Sequence, residues 1–253
     1  MRVISLVVEG FERARDDGVL DWLFVQDADI ICLQDTRCSE YSLRDDAFFP
    51  TEYNAYFLDN YEDHRRHGVA IYCKKLPKAI MMGLGFSQFD SQGLYLQADY
   101  GEVSVGSILV PPSWGAQGDA SEKMAFLGQL SQHLKKVRNK RRGYILCGGW
   151  EIAHRPVDAE EAGNRTDIPG FGKEERDWLN QLFAEGYGDA FRAGNSDDDE
   201  YSWWPEGDDN PGVRTDTQIV SEDLLDAVQC ASIYTVDAFS SHAPIIIDYD
   251  ISI

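Results

Sequence analysis

The stretch that most constrains this chain runs from Tyr144-Ile145-Leu146 through Cys147-Gly148-Gly149-Trp150-Glu151-Ile152-Ala153-His154. An apolar strand leads into a glycine pair. That pair is expected to turn at the carboxyl edge of a central sheet, where open α/β folds place their sites. Ligand-bearing side chains belong at such a turn, yet Gly149 has none and Trp150 is no metal ligand. Other short apolar runs repeat the pattern. Residues 2–8, Ile30-Ile31-Cys32-Leu33 and Gly68 to Cys73 read as buried strands. Leu94 to Asp99 and Val103 to Val110 read as a hairpin around Tyr100-Gly101. Tyr201-Ser202-Trp203-Trp204, Asp216 to Val220 and Pro244 to Ile253 are further strand candidates. Residues 38–66 read as a loop with short elements. Helices are predicted over 11–26, weak at Gly18, and over 121–138, capped by Ser121. The second helix carries Met124, Leu127, Leu130, Leu134 and Val137 on one stripe. A third opens at Glu174-Glu175 and ends at Gly186. Strands outnumber helices and mix hairpins with crossovers. This predicts one α/β domain over residues 1–253, a two-sheet β-sandwich flanked by helices.

Charge narrows the partners. The chain holds 44 Asp+Glu against 23 Lys+Arg, a formal net charge of −21. A field that negative repels phosphate backbones, so tight unaided binding of nucleic acid needs a local basic patch. Lys135, Lys136, Arg138, Lys140, Arg141 and Arg142 form the one dense basic run. It reads either as a solvated helix end facing the negative dipole or as a partner-binding surface for RNA or a ribonucleoprotein. Arg65, Arg66 and His67 make a second, weaker cluster. The acidic residues between 197 and 209 lack the ordered spacing of a calcium loop and read as solvated. Trp203-Trp204 reads as core packing beside a polar edge, and Arg214 as paired with a neighbouring carboxylate. The five cysteines show no C-x-x-C spacing, and Cys32, Cys73 and Cys147 sit in apolar runs. Reduced, buried thiols predict a cytoplasmic protein. The first apolar run is too short for a signal sequence, and no stretch reaches the roughly 20 apolar residues of a membrane span.

Seven segments then fall in order along nearly the whole chain. They are Ser5 to Gly10, Leu33-Gln34-Asp35-Thr36, Gly68 to Tyr72, Gly148 to Glu151, Tyr201 to Trp204, Arg214-Thr215-Asp216, and Ser241-His242-Ala243-Pro244. In that order they resemble the exonuclease III-like branch of the endonuclease/exonuclease/phosphatase family. The resemblance implies two packed sheets flanked by helices, and hydrolysis of phosphoesters with a divalent metal, usually Mg²⁺. A hard cation wants carboxylate oxygens, and donors must hold the phosphate while charge builds on it.

Position by position, the resemblance implies a depleted site. Val7 stands where the first-strand Asn is expected, Asp35 where a Glu is, and Leu109 where a Tyr is. Gly149 and Glu151 replace an Asp-x-Asn pair, and Ser241 replaces the Asp before His242. Asp216 and His242 survive, with Asp35 a methylene short. This vestigial set, even if joined by Glu9 or Glu151, is an incomplete hard-cation site, so no metal, no cofactor and no catalytic residue is expected. His242 is expected to lack an orienting carboxylate. Family-type hydrolysis is therefore expected to be lost, the chain being no enzyme. Glu151 and His154 read either as a rewired acid–base pair or as unrelated loop groups.

Within this branch, Leu33 to Arg37, Ala153-His154, Ser241 to Pro244 and Ile247-Asp248-Tyr249-Asp250 are similar to the catabolite repression control (Crc) family. That likeness implies a regulator that joins the Hfq RNA chaperone on A-rich messenger RNA and represses translation. The alternative is a divergent Mg²⁺-dependent phosphodiesterase, exodeoxyribonuclease or phosphatase with relocated ligands.

Overall fold

The computed structural model describes residues 1–253 apart from 116–117, 139–141, 164–167 and 206–210. Arg2–Val7 (β1) leads through two short helices, Phe11–Asp16 (α1) and Val19–Phe24 (α2), to Ile30–Gln34 (β2), which pairs with β1 in parallel. Gly18, at φ 77°, breaks the two helices apart. Asn54–Leu58 (β3) and Val69–Cys73 (β4) follow, then Ala79–Met82 (β5), Tyr95–Asp99 (β6) and Val103–Leu109 (β7). Ala120–Arg138 (α3) crosses over to Gly143–Gly149 (β8), again giving a parallel pair. Lys173–Ala184 (α4), Tyr187–Asp189 (β9), Ala190–Gly194 (α5), Asp216–Ser221 (β10), Val228–Ile233 (β11) and Ile245–Tyr249 (β12) complete the chain.

The strands form two six-stranded sheets, ordered β11-β12-β1-β2-β4-β3 and β5-β6-β7-β8-β10-β9. Helices flank them, as the sequence pattern and the resemblance both implied. β2, β4, β7 and β8 are buried along their whole length. Strands covered on both faces need continuous rather than alternating apolarity, which is what their sequences carry. Val3, Ile30, Cys32 and Ile71 of one sheet belong to the same core as Val105, Ile145 and Cys147 of the other. α1 and α2 cover the outer face of the first sheet through Phe11, Leu20 and Leu23. Polar clasps cross the sandwich: buried Gln34 Nε2 donates to Ser107 Oγ at 2.9 Å and to the Cys147 carbonyl at 3.3 Å, and buried Gln218 Nε2 donates to the Val3 carbonyl at 3.1 Å.

Several expectations need correction. Gly148 and Gly149 are not a turn; they are the last two residues of β8. A Cβ at Gly148 would lie 2.2 Å from the Ile108 carbonyl oxygen, so the close approach of β7 demands glycine there. The cap of α3 is Asp119, whose Oδ1 accepts from the N–H groups of Ser121 and Glu122 at 2.8 and 3.2 Å. Tyr201 to Trp204 is not a strand; Trp203 makes only isolated bridges to Val213 and His242. β3, β5, β9 and β11 lie outside the strand expectations. Among the described residues no helix is long and apolar enough to cross a membrane. All five cysteines are free, with Cys32, Cys73 and Cys147 buried.

Candidate active site

Both parallel pairs point their carboxyl ends the same way, and the chemistry-bearing residues gather there. Val7 ends β1, Leu109 ends β7, Gly149 ends β8 and Asp216 opens β10. The loops after β1 and β2 are locked side by side, since Gly10 N–H donates to the Asp35 carbonyl at 2.9 Å and Phe11 N–H to that of Thr36 at 2.8 Å. Between the sheet ends lies an open cleft of about 330 Å³. Seven non-glycine residues adopt positive φ among the described residues, and five of them line this cleft: Glu9, Asp35, Arg37, His67 and Glu151, at φ 49–60°. Such backbone costs roughly 1–3 kcal/mol per residue and persists only where the surroundings enforce it, as functional sites do.

The floor carries a buried pair. His242 Nδ1 lies 2.7 Å from Asp216 Oδ2, which also accepts from Ser202 Oγ at 2.8 Å. The expectation that His242 lacks an orienting carboxylate is therefore wrong: Asp216 supplies it, while Ser241 uses its N–H to bind Glu9 Oε2 at 2.9 Å. Burial alone would lower the His242 pKa, but the charge of Asp216 and its hydrogen bond outweigh that and hold it at about 9. The ring stacks on Trp203 at 5.9 Å, and Trp114 packs against Trp203 in a tilted arrangement, ring centroids 5.1 Å apart. Trp203 is thus a wall of the cleft as well as packing.

Glu151 faces the same space. Burial, reinforced by Asp216, pushes its pKa up to about 7, against the opposing pull of His242 and Lys123. Glu9 moves the other way: burial resists ionisation, but the Ser241 N–H and the charge on His242 hold it below the ordinary carboxylate range. Two carboxylates in one cleft thus have pKa values pushed apart, the usual mark of divided acid–base roles.

The backbone at Glu151 is held from behind by Lys123. Its ammonium is fully buried, donates to the Glu151 carbonyl at 2.5 Å and to Glu175 Oε1 at 2.6 Å, and sits 5.1 Å over the Trp114 ring. Glu175 also accepts from Ser113 Oγ and Gly172 N–H, at 2.8 and 2.9 Å. Sequence reasoning missed Lys123. The signal was there: it lies four residues before Leu127 on the apolar stripe of α3, where a lysine is out of place.

His154 does not join Glu151. It lies 2.8 Å from Asn180 Oδ1 and edge-on to Phe183, so an acid–base pair between the two is ruled out. Arg214 is paired, as expected, with Asp158 and Asp189, each at 2.8 Å. In the basic run, Lys135 binds Glu185 at 2.9 Å, and Arg142 is tied to Asp99 and the Gly101 carbonyl. Lys140 and Arg141 lie outside the described residues. Lys135, Lys136 and Arg138 are the exposed cations of that run among the described residues.

The substitutions at the floor are coupled. A Cβ at Gly149 would stand 2.8 Å from Val7 Cγ2 and 3.4 Å from Leu109 Cδ1. Position 149 is bare because its neighbours are bulky. Gly149→Ala is expected to cost about 1–3 kcal/mol of stability by overpacking. In a Val7→Ala background the cost should largely vanish. A denaturant double-mutant cycle with no coupling between 7 and 149 would refute this.

The donors present do not fit a ready metal cage. Among the described residues no three His, Cys, Asp or Glu side chains are grouped to hold an ion. Asp35 binds Arg37 at 2.5 Å, with Glu9 3.9 Å from the same guanidinium nitrogen, so a protein cation already faces both carboxylates. Asp216 Oδ1 is buried without a partner among the described residues, but beside it lie Gly149 and the hydrocarbon of Val7.

The sequence profile of the Endonuclease/Exonuclease/phosphatase family matches residues 8–242. The chain is 28% identical to an exodeoxyribonuclease of Bacillus subtilis (strain 168), covering 97% of this chain and 98% of the relative. It is 29% identical to the DNA repair nuclease APEX1 of Danio rerio, covering 97% and 81%. The 3'-5' exonuclease (NExo) from Neisseria meningitidis shares the fold with a TM-score of 0.88, at 19% identity, covering 99% of this chain and 100% of that one. The expectation that the chain is no enzyme is overturned by these relatives: over nearly its whole length it is similar to nucleases.

Proposed function

This chain belongs to the endonuclease/exonuclease/phosphatase family, and from that premise we propose that it hydrolyses phosphoester bonds of nucleic acid through an acid–base set relocated to Glu151 and His242. The observation that carries the reading is the buried Asp216–His242 pair at the cleft floor. With Nδ1 held by Asp216, Nε2 is the nitrogen left for a ligand. An imidazolium with a pKa of about 9 is charged at neutral pH and can donate to oxygen as negative charge builds there. Glu151, poised at about 7, is half ionised and can take a proton from attacking water. The water oxygen then bonds to phosphorus, the ester P–O bond breaks, and the departing oxygen receives the proton of His242. A divalent metal, when bound, would supply further charge stabilisation; no step is assigned to it, because the donors are not grouped to hold one.

The test is cleavage of single-stranded and abasic-site duplex oligonucleotides by the purified protein, with millimolar Mg²⁺ or Mn²⁺ and separately with EDTA. Product is expected from the wild type in at least one arm, and far less of it from Asp216→Ala and from Glu151→Gln. No product in any arm, or equal product from the variants, sinks the reading.

A second reading adds a partner. The exposed Lys136 and Arg138 at the end of α3 are free of the ion pairs that engage Lys135 and Arg142. Together with the likeness to the catabolite repression control family, they favour a cytoplasmic complex with the Hfq RNA chaperone on A-rich RNA, repressing translation. Most of the surface is negative, so contacts shared among protein, chaperone and RNA suit it better than direct affinity for RNA. Co-elution with chaperone and A-rich RNA together, weakened by Lys136→Glu, is the expected result. Separate elution removes this partner.

A further inference from the structure

A buried ammonium is costly, and this fold keeps one where an apolar side chain would suit the stripe of α3. Lys123 shares the buried side of that helix with Phe126, Leu127 and Leu130 and has no exposed surface. Burial lowers its pKa, against the opposing charges of Glu175 and Glu151. Replacing a buried ion pair by uncharged side chains of similar volume is often neutral or stabilising. Stability alone therefore does not account for the Lys123–Glu175 pair.

What the ammonium reaches offers another reason. It meets Glu175 on α4, the Glu151 carbonyl after β8, and the Trp114 ring after β7. Among the described residues Lys123 is the one donor to the Glu151 carbonyl, since no backbone N–H reaches it. On the other side of that carbonyl Gly170 passes so close that a Cβ there would stand 2.8 Å from the oxygen. Glu151 is held at φ 58°, a conformation that a residue with a side chain keeps only where its surroundings enforce it. Trp114 carries the support across the cleft. It packs against Trp203, and Trp203 stacks on His242. One cation thus stands behind both groups assigned to the chemistry.

We propose that Lys123 is a positioning residue of the cleft: through the Glu151 carbonyl and the Trp114 ring it fixes where the Glu151 carboxyl and the His242 ring stand, and it touches no substrate itself. The inference rests on the hydrolase reading and deepens it. The charges facing Glu151 are His242 and Asp216 at the floor, Asp35 after β2, and Lys123 behind. Lys123 is one of the two cations that oppose the burial of Glu151, so without it Glu151 should ionise only at higher pH.

The experiment separates posture from stability. Lys123→Met leaves Glu175 buried without its cation and is expected to lower Tm. Adding Glu175→Gln removes the second charge, keeps an acceptor for the Gly172 N–H, and is expected to recover most of that loss. Both proteins are assayed on an abasic-site duplex oligonucleotide, so the loss of one to misfolding leaves the other. Both are also labelled with glutamate carrying ¹³C at the carboxyl carbon and titrated by NMR, the Glu151 signal being the one that Glu151→Gln removes. In the wild type that signal should titrate at about 7. In the variants kcat is expected to fall about 10- to 100-fold with KM little changed. The acid limb of the pH profile and the Glu151 signal should both move to higher pH, by about one unit. A Glu151 titration unmoved in the folded double variant overturns the proposal, whatever kcat does, and leaves Lys123 to stability alone. The two readings fail separately. A Glu151 signal that moves in a protein that cuts nothing keeps the support of Glu151 and removes the hydrolase. Cutting that is indifferent to Lys123 does the reverse.

Discussion

Replacing His242 with alanine is expected to lower phosphoester hydrolysis by about 10²- to 10⁴-fold, the span typical of a lost general acid. The pH profile makes the assignment sharper. Activity needs Glu151 ionised, which holds above about pH 7, and His242 protonated, which holds below about pH 9. The rate should therefore rise through about 7, crest, and fall through about 9. Glu151→Gln should remove the acid limb and His242→Ala the alkaline one. Asp216→Asn keeps a hydrogen-bonding group at Nδ1 but removes the charge that opposes burial. Its alkaline limb should move to lower pH. The stability that His242 contributes has the same sense. It is fully present below the ordinary histidine value of 6.5 and is lost as pH rises through about 9. A wild-type profile with neither limb would sink both assignments.

The largest expected effect on stability lies outside the cleft. Asp158 is wholly buried, and its Oδ1 accepts from Arg192 Nη2 and Arg214 Nη2, both at 2.8 Å. Arg214 reaches on to Asp189 Oδ2 at 2.8 Å and lies 5.1 Å over the Phe191 ring. Burial resists ionisation of Asp158, but Arg214 and Arg192 prevail and hold it below the usual carboxylate range. Asp158→Ala would leave two guanidinium groups short of a buried counter-charge. Breaking such a network by one partner costs about 3–5 kcal/mol. At this chain length that is roughly a 6–20 °C fall in Tm. Because the Asp158 pKa is depressed, its contribution is present above the ordinary value of 3.8 and disappears as pH falls through the folded one. The wild-type advantage over Asp158→Ala should accordingly shrink under acid. A Tm change under about 2 °C would show that the network carries little. Arg214 sits two residues before Asp216, so the same variant should also loosen the His242 pair.

Much of the fold was legible because buried strands declare themselves. The runs at 2–7, 30–33, 69–73 and 144–146 are buried and largely apolar, and the stripe on α3 has helical spacing. β3, β5, β9 and β11 escaped because they are edge strands or short ones, open to solvent on one side, so their sequences mix polar and apolar residues. The site was legible in part. Asp35, Asp216 and His242 were expected to converge at one sheet edge; Asp216 meets His242 at 2.7 Å, and Asp35 and His242 line the same cleft. The inference from missing oxygens to missing activity did not hold, because it weighed each position against an expected side chain and ignored what neighbouring residues supply.

By itself the sequence determined which atoms the cleft floor lacks. Hydrocarbon at Val7 and Leu109 and bare backbone at Gly149 are properties of residue types, and no folding changes them. It also determined the two-sheet architecture, since continuous apolar runs must be covered on both faces. Only the tertiary structure decided which carboxylate meets His242. The partner is Asp216, 26 residues away, rather than anything at position 241. Strand register sets such pairings, and register depends on long-range packing that adjacency in the chain does not encode. The same holds for Lys123, whose buried ammonium acquires meaning only once the Glu151 carbonyl and Glu175 are folded against it.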